Sequence, residues 1–279
     1  MIASPLKYHG GKSYLASKIV TLMPEHTHYV EPYAGGLSVL LAKDPEGVSE
    51  VINDLNKHVT NFWSVLRAPH AFAEFQRCVE AQPFCEADWK ASKRIVDELL
   101  WNGVNPTSAH TANVLRAFAF FVCCRQSLAG RMQAFAPRSR TRTRRGMNEQ
   151  VSAWLNAVEG LPAVHARLKR VLILNRPALE VIKAEDGPRT LYYLDPPYVH
   201  STRATTGEYA HEMTEEQHID LLRLLGSIKG RFLLSGYRSD VYDYYATNLG
   251  WNRHDFELPN NAAGGKEKRR VTECLWTNY

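Results

Sequence analysis

The apolar run Leu191-Tyr192-Tyr193-Leu194 stops abruptly at Asp195-Pro196-Pro197-Tyr198. Proline donates no ladder hydrogen bond and steers the residue before it away from helical geometry, so a strand must end here. A continuous apolar run without alternation suits a central strand covered on both faces. Strands of that kind belong to open α/β sheets, which place ligands beyond their carboxyl ends. An acid and an aromatic ring are thus held in a stiff loop at the position where a ligand would lie. The carboxylate and the proline-flanked carbonyls can accept hydrogens from a planar amino group, and the ring offers a stacking face.

The rest of the chain reads as alternating strands and helices at both ends. Thr27 to Glu31 and Val48 to Asp54 are predicted strands, with an apolar helix through Leu37 to Ala42 between them. Arg170 to Leu174, Thr190 to Asp195 and Phe232 to Ser235 are further strands, and Ala178 to Ile182 is a short helix. Thr214-Glu215-Glu216-Gln217 is a capping-box start for a helix closed by Gly226. Ser239 caps another helix, which Gly250 ends. Asn252 to Leu258 and Val271 to Asn278 form an antiparallel pair, joined by a loop with Asn260-Asn261 and Gly264-Gly265. The fold class is therefore α/β, a mostly parallel sheet with an antiparallel edge strand. Val59 to about Leu168 reads as a largely helical insert, with Phe62, Trp63, Val65 and Leu66 on one helical face.

Charge singles out that insert. From Leu99 to Asn148 there is no Asp, Glu or Lys but eight arginines, giving +8 where the whole chain nets +5. A concentrated basic segment on a mildly acidic body is the footprint of a phosphate-backbone binder. In Arg138-Ser139-Arg140-Thr141-Arg142-Thr143-Arg144 the arginines alternate, and an extended backbone would turn all four to one face. Arg125 and Arg131 are expected near bases, the alternating set on phosphates.

Other classes are excluded or disfavoured. No apolar stretch approaches the ~20 residues that span a bilayer, and Lys7, His9 and Lys12 interrupt any signal-peptide core. Five cysteines without CxxC or metal-ligand spacing imply reduced thiols, a cytoplasmic location and no metal. Gly11-Lys12-Ser13 invites a P-loop reading, but Leu6 stands where that loop needs its first glycine. The N-terminal glycines instead let Tyr8 and Lys12 reach into a neighbouring site.

Tyr29-Val30-Glu31-Pro32-Tyr33-Ala34-Gly35-Gly36-Leu37 reads as strand, tight glycine turn and helix. Nineteen residues past Gly35, Asp54 ends the next strand, where an acid takes ribose hydroxyls in doubly wound folds. The turn lacks a full GxGxxG, which favours a nucleoside cofactor over a dinucleotide.

Together these segments resemble the Dam-like family of DNA adenine methyltransferases, which use S-adenosylmethionine. Pro5-Leu6-Lys7-Tyr8-His9-Gly10-Gly11-Lys12 is similar to the family's N-terminal cofactor motif, with Tyr8 where tryptophan is more frequent. Val30 to Ser38 resembles the cofactor loop, Asn53-Asp54-Leu55-Asn56 the acidic motif, Asp195-Pro196-Pro197-Tyr198 the catalytic motif, and Arg270 to Tyr279 the closing strand. Leu37 departs from the family, standing where the loop often has a second glycine. The arginine-rich insert aligns poorly with the family's recognition hairpin.

The resemblance implies a Rossmann-like methyltransferase fold in the alpha motif order. Residues 1–63 and 166–279 would form the S-adenosylmethionine-binding catalytic domain, and 64–165 a target-recognition insert. Tyr8, Lys12, Glu31, Pro32, Gly35, Gly36, Asp54 and Asp195 would hold the cofactor. Asp195, Pro196, Pro197 and Tyr198 would be catalytic, with Tyr198 stacking on an extruded base. Arg125, Arg131, Arg138, Arg140, Arg142 and Arg144 would contact double-stranded DNA. A homodimer accords with the sequence. An aspartate at the first motif position leans toward adenine. Cytosine, RNA or a protein amide remain as other acceptors, and a non-catalytic DNA-binding module as another class.

Overall fold

A computed structural model of the chain describes residues 1–8, 10–98, 106–107, 112–136, 139–198, 212–259 and 270–279. In chain order the elements begin with α1 (Ala16–Thr21), β1 (His28–Glu31), α2 (Ser38–Ala42) and β2 (Ser49–Asn53). Helices α3 (Lys57–Arg67), α4 (Pro69–Ala81), α5 (Glu86–Glu98) and α6 (Val114–Gln126) follow. A small hairpin, β3 (Thr143–Arg144) and β4 (Met147–Asn148), precedes α7 (Glu149–Glu159) and α8 (Leu161–Leu168). Then come β5 (Val171–Leu174), α9 (Ala178–Ala184), β6 (Thr190–Leu194), α10 (Glu215–Leu225), β7 (Arg231–Gly236), α11 (Asp240–Leu249), β8 (Asn252–Pro259) and β9 (Arg270–Thr277). The chain carries a seven-stranded, mostly parallel sheet and a separate two-stranded one, the α/β class expected. It divides into two compact units.

The first unit comprises Met1–Leu22, Ala34–Glu46 and Glu50–Arg176. Its strands β2 and β5 pair in parallel, Glu50 opposite Val171 through Asn53 opposite Leu174. Helix α3 starts where the Asn56 side chain accepts from the His58 amide at 2.9 Å, and its Phe62, Trp63, Val65 and Leu66 are fully buried. The Phe62 ring stacks on Phe121 of α6 at 5.6 Å and meets Phe75 of α4 edge-on at 5.9 Å. Burying side chains of this size contributes about 1.5–3 kcal/mol each. An ionic cluster lies in this interior: Glu50 accepts from Lys43 Nζ at 2.8 Å and from both Arg167 terminal nitrogens. Helix α1 has no counterpart in the sequence reading, because Leu15 at its N-cap offers no capping side chain and no periodic run announces it.

The insert is largely helical, as expected, with a small hairpin of β3 and β4 joined by Arg145 and Gly146, whose φ angles of 55° and 72° suit a tight turn. One expectation for the insert is corrected. The alternating arginines do not share one extended strand. The Arg142 amide donates to Ser139 Oγ at 2.9 Å, folding 139–142 into a local turn, and regular extension covers only Thr143–Arg144. Arg138 lies outside the described residues.

The second unit comprises Met23–Tyr33, Gly47–Ser49 and Pro177–Tyr279. There β6 pairs in parallel with β1 on one side and β7 on the other. Strand β9 runs antiparallel to both β7 and β8, as expected for the C-terminal pair. The loop expected between them, with Asn260, Asn261, Gly264 and Gly265, lies outside the described residues. Leu191, Tyr192, Tyr193 and Leu194 are all buried, as a doubly covered strand requires. Tyr192 satisfies its buried phenol by donating to the Ile182 carbonyl at 2.8 Å. The capping box Thr214/Gln217 starts α10, and Gly250, with φ 67°, ends α11.

Candidate active site

In the first unit the glycine turn, the acidic strand end and the N-terminal loop converge. The Gly35 amide donates to Asp54 Oδ2 at 2.9 Å, while Asp54 Oδ1 accepts from the Asn56 amide at 2.9 Å. Both carboxylate oxygens thus hold backbone, which sets the turn against the end of β2. The Gly35 carbonyl in turn accepts from Trp63 Nε1 at 3.0 Å, giving a buried indole its required partner. Sequence reading placed Trp63 on a core face and missed this anchor; a tryptophan among fully buried positions signals that its N–H needs an acceptor.

Tyr8 packs on the same turn: a side chain added at Gly35 or Gly36 would meet it at 3.5 Å. Ser4 Oγ donates to the Gly36 carbonyl at 2.5 Å, and Lys12, almost fully buried, donates to the Gly10 carbonyl at 2.8 Å. The structure therefore brings Tyr8, Gly35, Gly36 and Asp54 together. Leu37 adopts the left-handed conformation (φ 53°, ψ 28°) with its side chain buried. A leucine here performs the backbone turn that glycine would make without strain.

His58, unremarked in the sequence, stands near by. Its ring stacks on Phe120 at 5.9 Å, and Phe120 lies 6.4 Å from Tyr8. Burial, with a smaller contribution from Arg116, pushes its pKa down to about 4.

The glycine of the turn after α6 ties the N-terminal segment down further. A Cβ at Gly130 (φ 73°) would lie 1.9 Å from the Lys7 carbonyl oxygen, so only glycine fits. Burial, and secondarily Arg125, lowers the Lys7 pKa. Burial likewise lowers that of Arg125, which donates to the Ala153 carbonyl. Arg131 is partly exposed just beyond this turn, and Arg140, Arg142 and Arg144 are exposed. Arg142 pairs with Glu149 at 3.5 Å, and Arg145 forms a two-pronged pair with Glu159 at 3.0 Å.

In the second unit Asp195, Pro196, Pro197 and Tyr198 follow directly from the buried end of β6. Asp195 is partly exposed and Tyr198 buried. The Tyr198 hydroxyl donates to Glu273 Oε2 at 3.0 Å, and its ring meets Tyr237 edge-on at 4.7 Å. Burial, then the neighbouring Tyr33 and Asp195, raises the pKa of Tyr242, so its phenol stays protonated. Glu31 is buried and accepts from the Tyr29 hydroxyl at 2.6 Å, with Pro32 buried beside it in sequence. Glu273 and Tyr237 were not foreseen; an acid inside the mostly apolar stretch Val271 to Trp276 was the available signal.

Among the described residues no group of three or more His, Cys, Asp or Glu could hold a metal ion, and no helix is long and apolar enough to cross a membrane. All five cysteines are free thiols. A comparison with curated proteins gives no match. The family model for D12 class N6 adenine-specific DNA methyltransferases matches residues 8–256, which take in the glycine turn, Asp54 and the Asp195–Tyr198 corner. The mostly parallel sheet is consistent with the Rossmann-like methyltransferase fold, and the chain belongs to the family of D12 class N6 adenine-specific DNA methyltransferases.

Proposed function

We propose that the protein transfers a methyl group from S-adenosylmethionine to the N6 amine of an adenine extruded from double-stranded DNA. The observation that carries this reading is the Asp195-Pro196-Pro197-Tyr198 corner at the carboxyl end of β6, a strand with parallel neighbours on both sides. Asp195 and the Pro196 carbonyl accept the amine hydrogens. An aromatic amine is a weak nucleophile because its lone pair is delocalised into the ring. Two fixed acceptors favour the pyramidal geometry that returns the pair to nitrogen and stabilise the positive charge that develops there. Pro197 stiffens the corner, and Tyr198 is the ring against which the base rests.

The donor set of the first unit fits a nucleoside cofactor. Gly35 and Gly36 leave the turn without side chains, Tyr8 supplies an aromatic surface, Lys12 braces the N-terminal loop, and Asp54 carries the acid for ribose hydroxyls. Glu31, Pro32 and Asp195 are assigned to the cofactor by the resemblance of their sequence motifs alone. When bound, S-adenosylmethionine supplies a methyl group already activated on a sulfonium. Extruding the adenine costs a few kcal/mol, which stacking worth about 1–3 kcal/mol per base offsets.

Residues 64–165 serve as the target-recognition insert. Arg125, Arg131, Arg138, Arg140, Arg142 and Arg144 face DNA in this reading, the exposed members tracking phosphates. Transfer of tritiated methyl from S-adenosylmethionine to unmethylated duplex DNA tests it, followed by sequencing that locates modified adenines. Activity in the wild type that vanishes in Asp195→Ala is the expected result. Transfer that survives Asp195→Ala, or label found on cytosine, RNA or protein instead, overturns it.

A further inference from the structure

The Asp195–Tyr198 corner has a support that lies 75 residues further along the chain. Glu273 on β9 is 5% exposed, and its carboxylate accepts the Tyr198 hydroxyl at 3.0 Å. A buried carboxyl group is costly unless hydrogen-bonded, and the phenol supplies this one with a partner. Tyr237, which follows the end of β7, presses on the Tyr198 ring edge-on at 4.7 Å and 75°. Strand β9 pairs antiparallel with β7, Cys274 opposite Gly236, so the acid and the second ring reach Tyr198 from adjacent strands. The prolines fix where the backbone leaves β6, Tyr237 fixes the tilt of the ring, and Glu273 fixes its tip.

We infer that Glu273 is a positioning residue for methyl transfer, holding the Tyr198 ring in the one orientation that can receive the extruded adenine. The inference rests on the proposed function, in which Tyr198 is the stacking ring. A ring with its tip released still offers apolar surface, so capture of DNA survives while alignment of the amine with Asp195 does not. Misplacement by about 1 Å far from the reacting atoms can cost about a hundredfold in rate. The loss therefore belongs in kcat and not in KM for DNA.

The test uses the full-length protein and steady-state methyl transfer to the mapped DNA site, with 2-aminopurine fluorescence at the target adenine as a report of base capture. Glu273→Leu and Tyr198→Phe are each expected to lose about ten- to a hundredfold in kcat, with KM for DNA within about threefold of wild type and an altered 2-aminopurine signal. Because both remove one shared interaction, the double variant should fall no further than the weaker single. Glu273→Gln keeps an acceptor oxygen and should recover at least about a third of the wild-type kcat. A Glu273→Leu variant with kcat within about twofold of wild type, or a double variant whose loss is the product of the two singles, overturns the inference. Should Glu273→Leu fail to fold, Tyr198→Phe decides alone, since it retains the ring, and a kcat within about twofold of wild type overturns it. Wild-type protein that transfers no methyl group to DNA overturns the proposed function first, and this inference with it.

Discussion

Asp54 and Gly35, nineteen residues apart in the chain, are joined by a 2.9 Å hydrogen bond from the Gly35 amide to Asp54 Oδ2. The acid proposed to take ribose hydroxyls is thus also the clamp on the glycine turn. Asp54→Ala should lose both roles at once. Hydrogen bonds to charged groups are worth about 1.5–3 kcal/mol, so affinity for S-adenosylmethionine should fall about ten- to a hundredfold. Isothermal titration calorimetry measures this directly, and unchanged affinity would remove Asp54 from the cofactor site.

Leu37 inverts the usual ranking of small substitutions. It is buried in left-handed backbone at φ 53°, a conformation that costs a residue with a Cβ about 1–2 kcal/mol. Leu37→Ala removes the side chain and keeps the strain; Leu37→Gly removes both. Both variants should be less stable than wild type by about 1–5 kcal/mol, with the glycine variant the more stable of the pair. Urea unfolding curves give the order, and alanine above glycine would contradict the strain argument.

His58 predicts an acid-sensitive step in stability. Its folded pKa lies near 4, against 6.5 for an ordinary histidine, mainly because it is buried. Between those values the unfolded chain binds the proton and the folded chain does not. The stabilising contribution is complete above pH 6.5, declines as pH falls toward 4, and is gone below. It is on the order of 3 kcal/mol. His58→Phe, which keeps a ring for Phe120, should flatten that part of the profile in thermal melts. An unchanged slope would assign the acid response to other groups.

The insert's arginines should separate by partner. Arg140 and Arg144 are exposed, and replacing either with alanine should weaken DNA binding and reduce the slope of log affinity against log salt by about one. Arg145, held by Glu159 and Asn156, should leave that slope unchanged on substitution. Fluorescence anisotropy at a series of salt concentrations distinguishes the two groups. Equal slopes for all three variants and wild type would deny the exposed pair its phosphate role.

The sequence announced elements whose forces are local. β6 and its terminus were legible because an apolar run and two prolines act within eight residues, and α10 because a capping box acts across four. α1 was not legible, since Leu15 caps nothing and the helix is held by packing. The bend at 139–142 was hidden because a single serine hydroxyl, Ser139, overrides the alternation of the arginines. In the candidate site, Gly35, Gly36 and Asp54 could be named from spacing, and Tyr8 from its N-terminal loop and the motif it resembles. Trp63, Tyr237 and Glu273 could not, because each acquires its role from a partner 28 to 75 residues away. Only folding sets that distance.

Gly130 and the Lys7 carbonyl meet with no room for a single added carbon. The segment that carries Tyr8 and Lys12 is therefore keyed to the start of the arginine-bearing stretch, atom against atom. A displacement of that stretch cannot leave Tyr8, one residue from the seam, where it stands. The room denied there to a single carbon makes the turn at Gly130 and the segment bearing Tyr8 one mechanical piece.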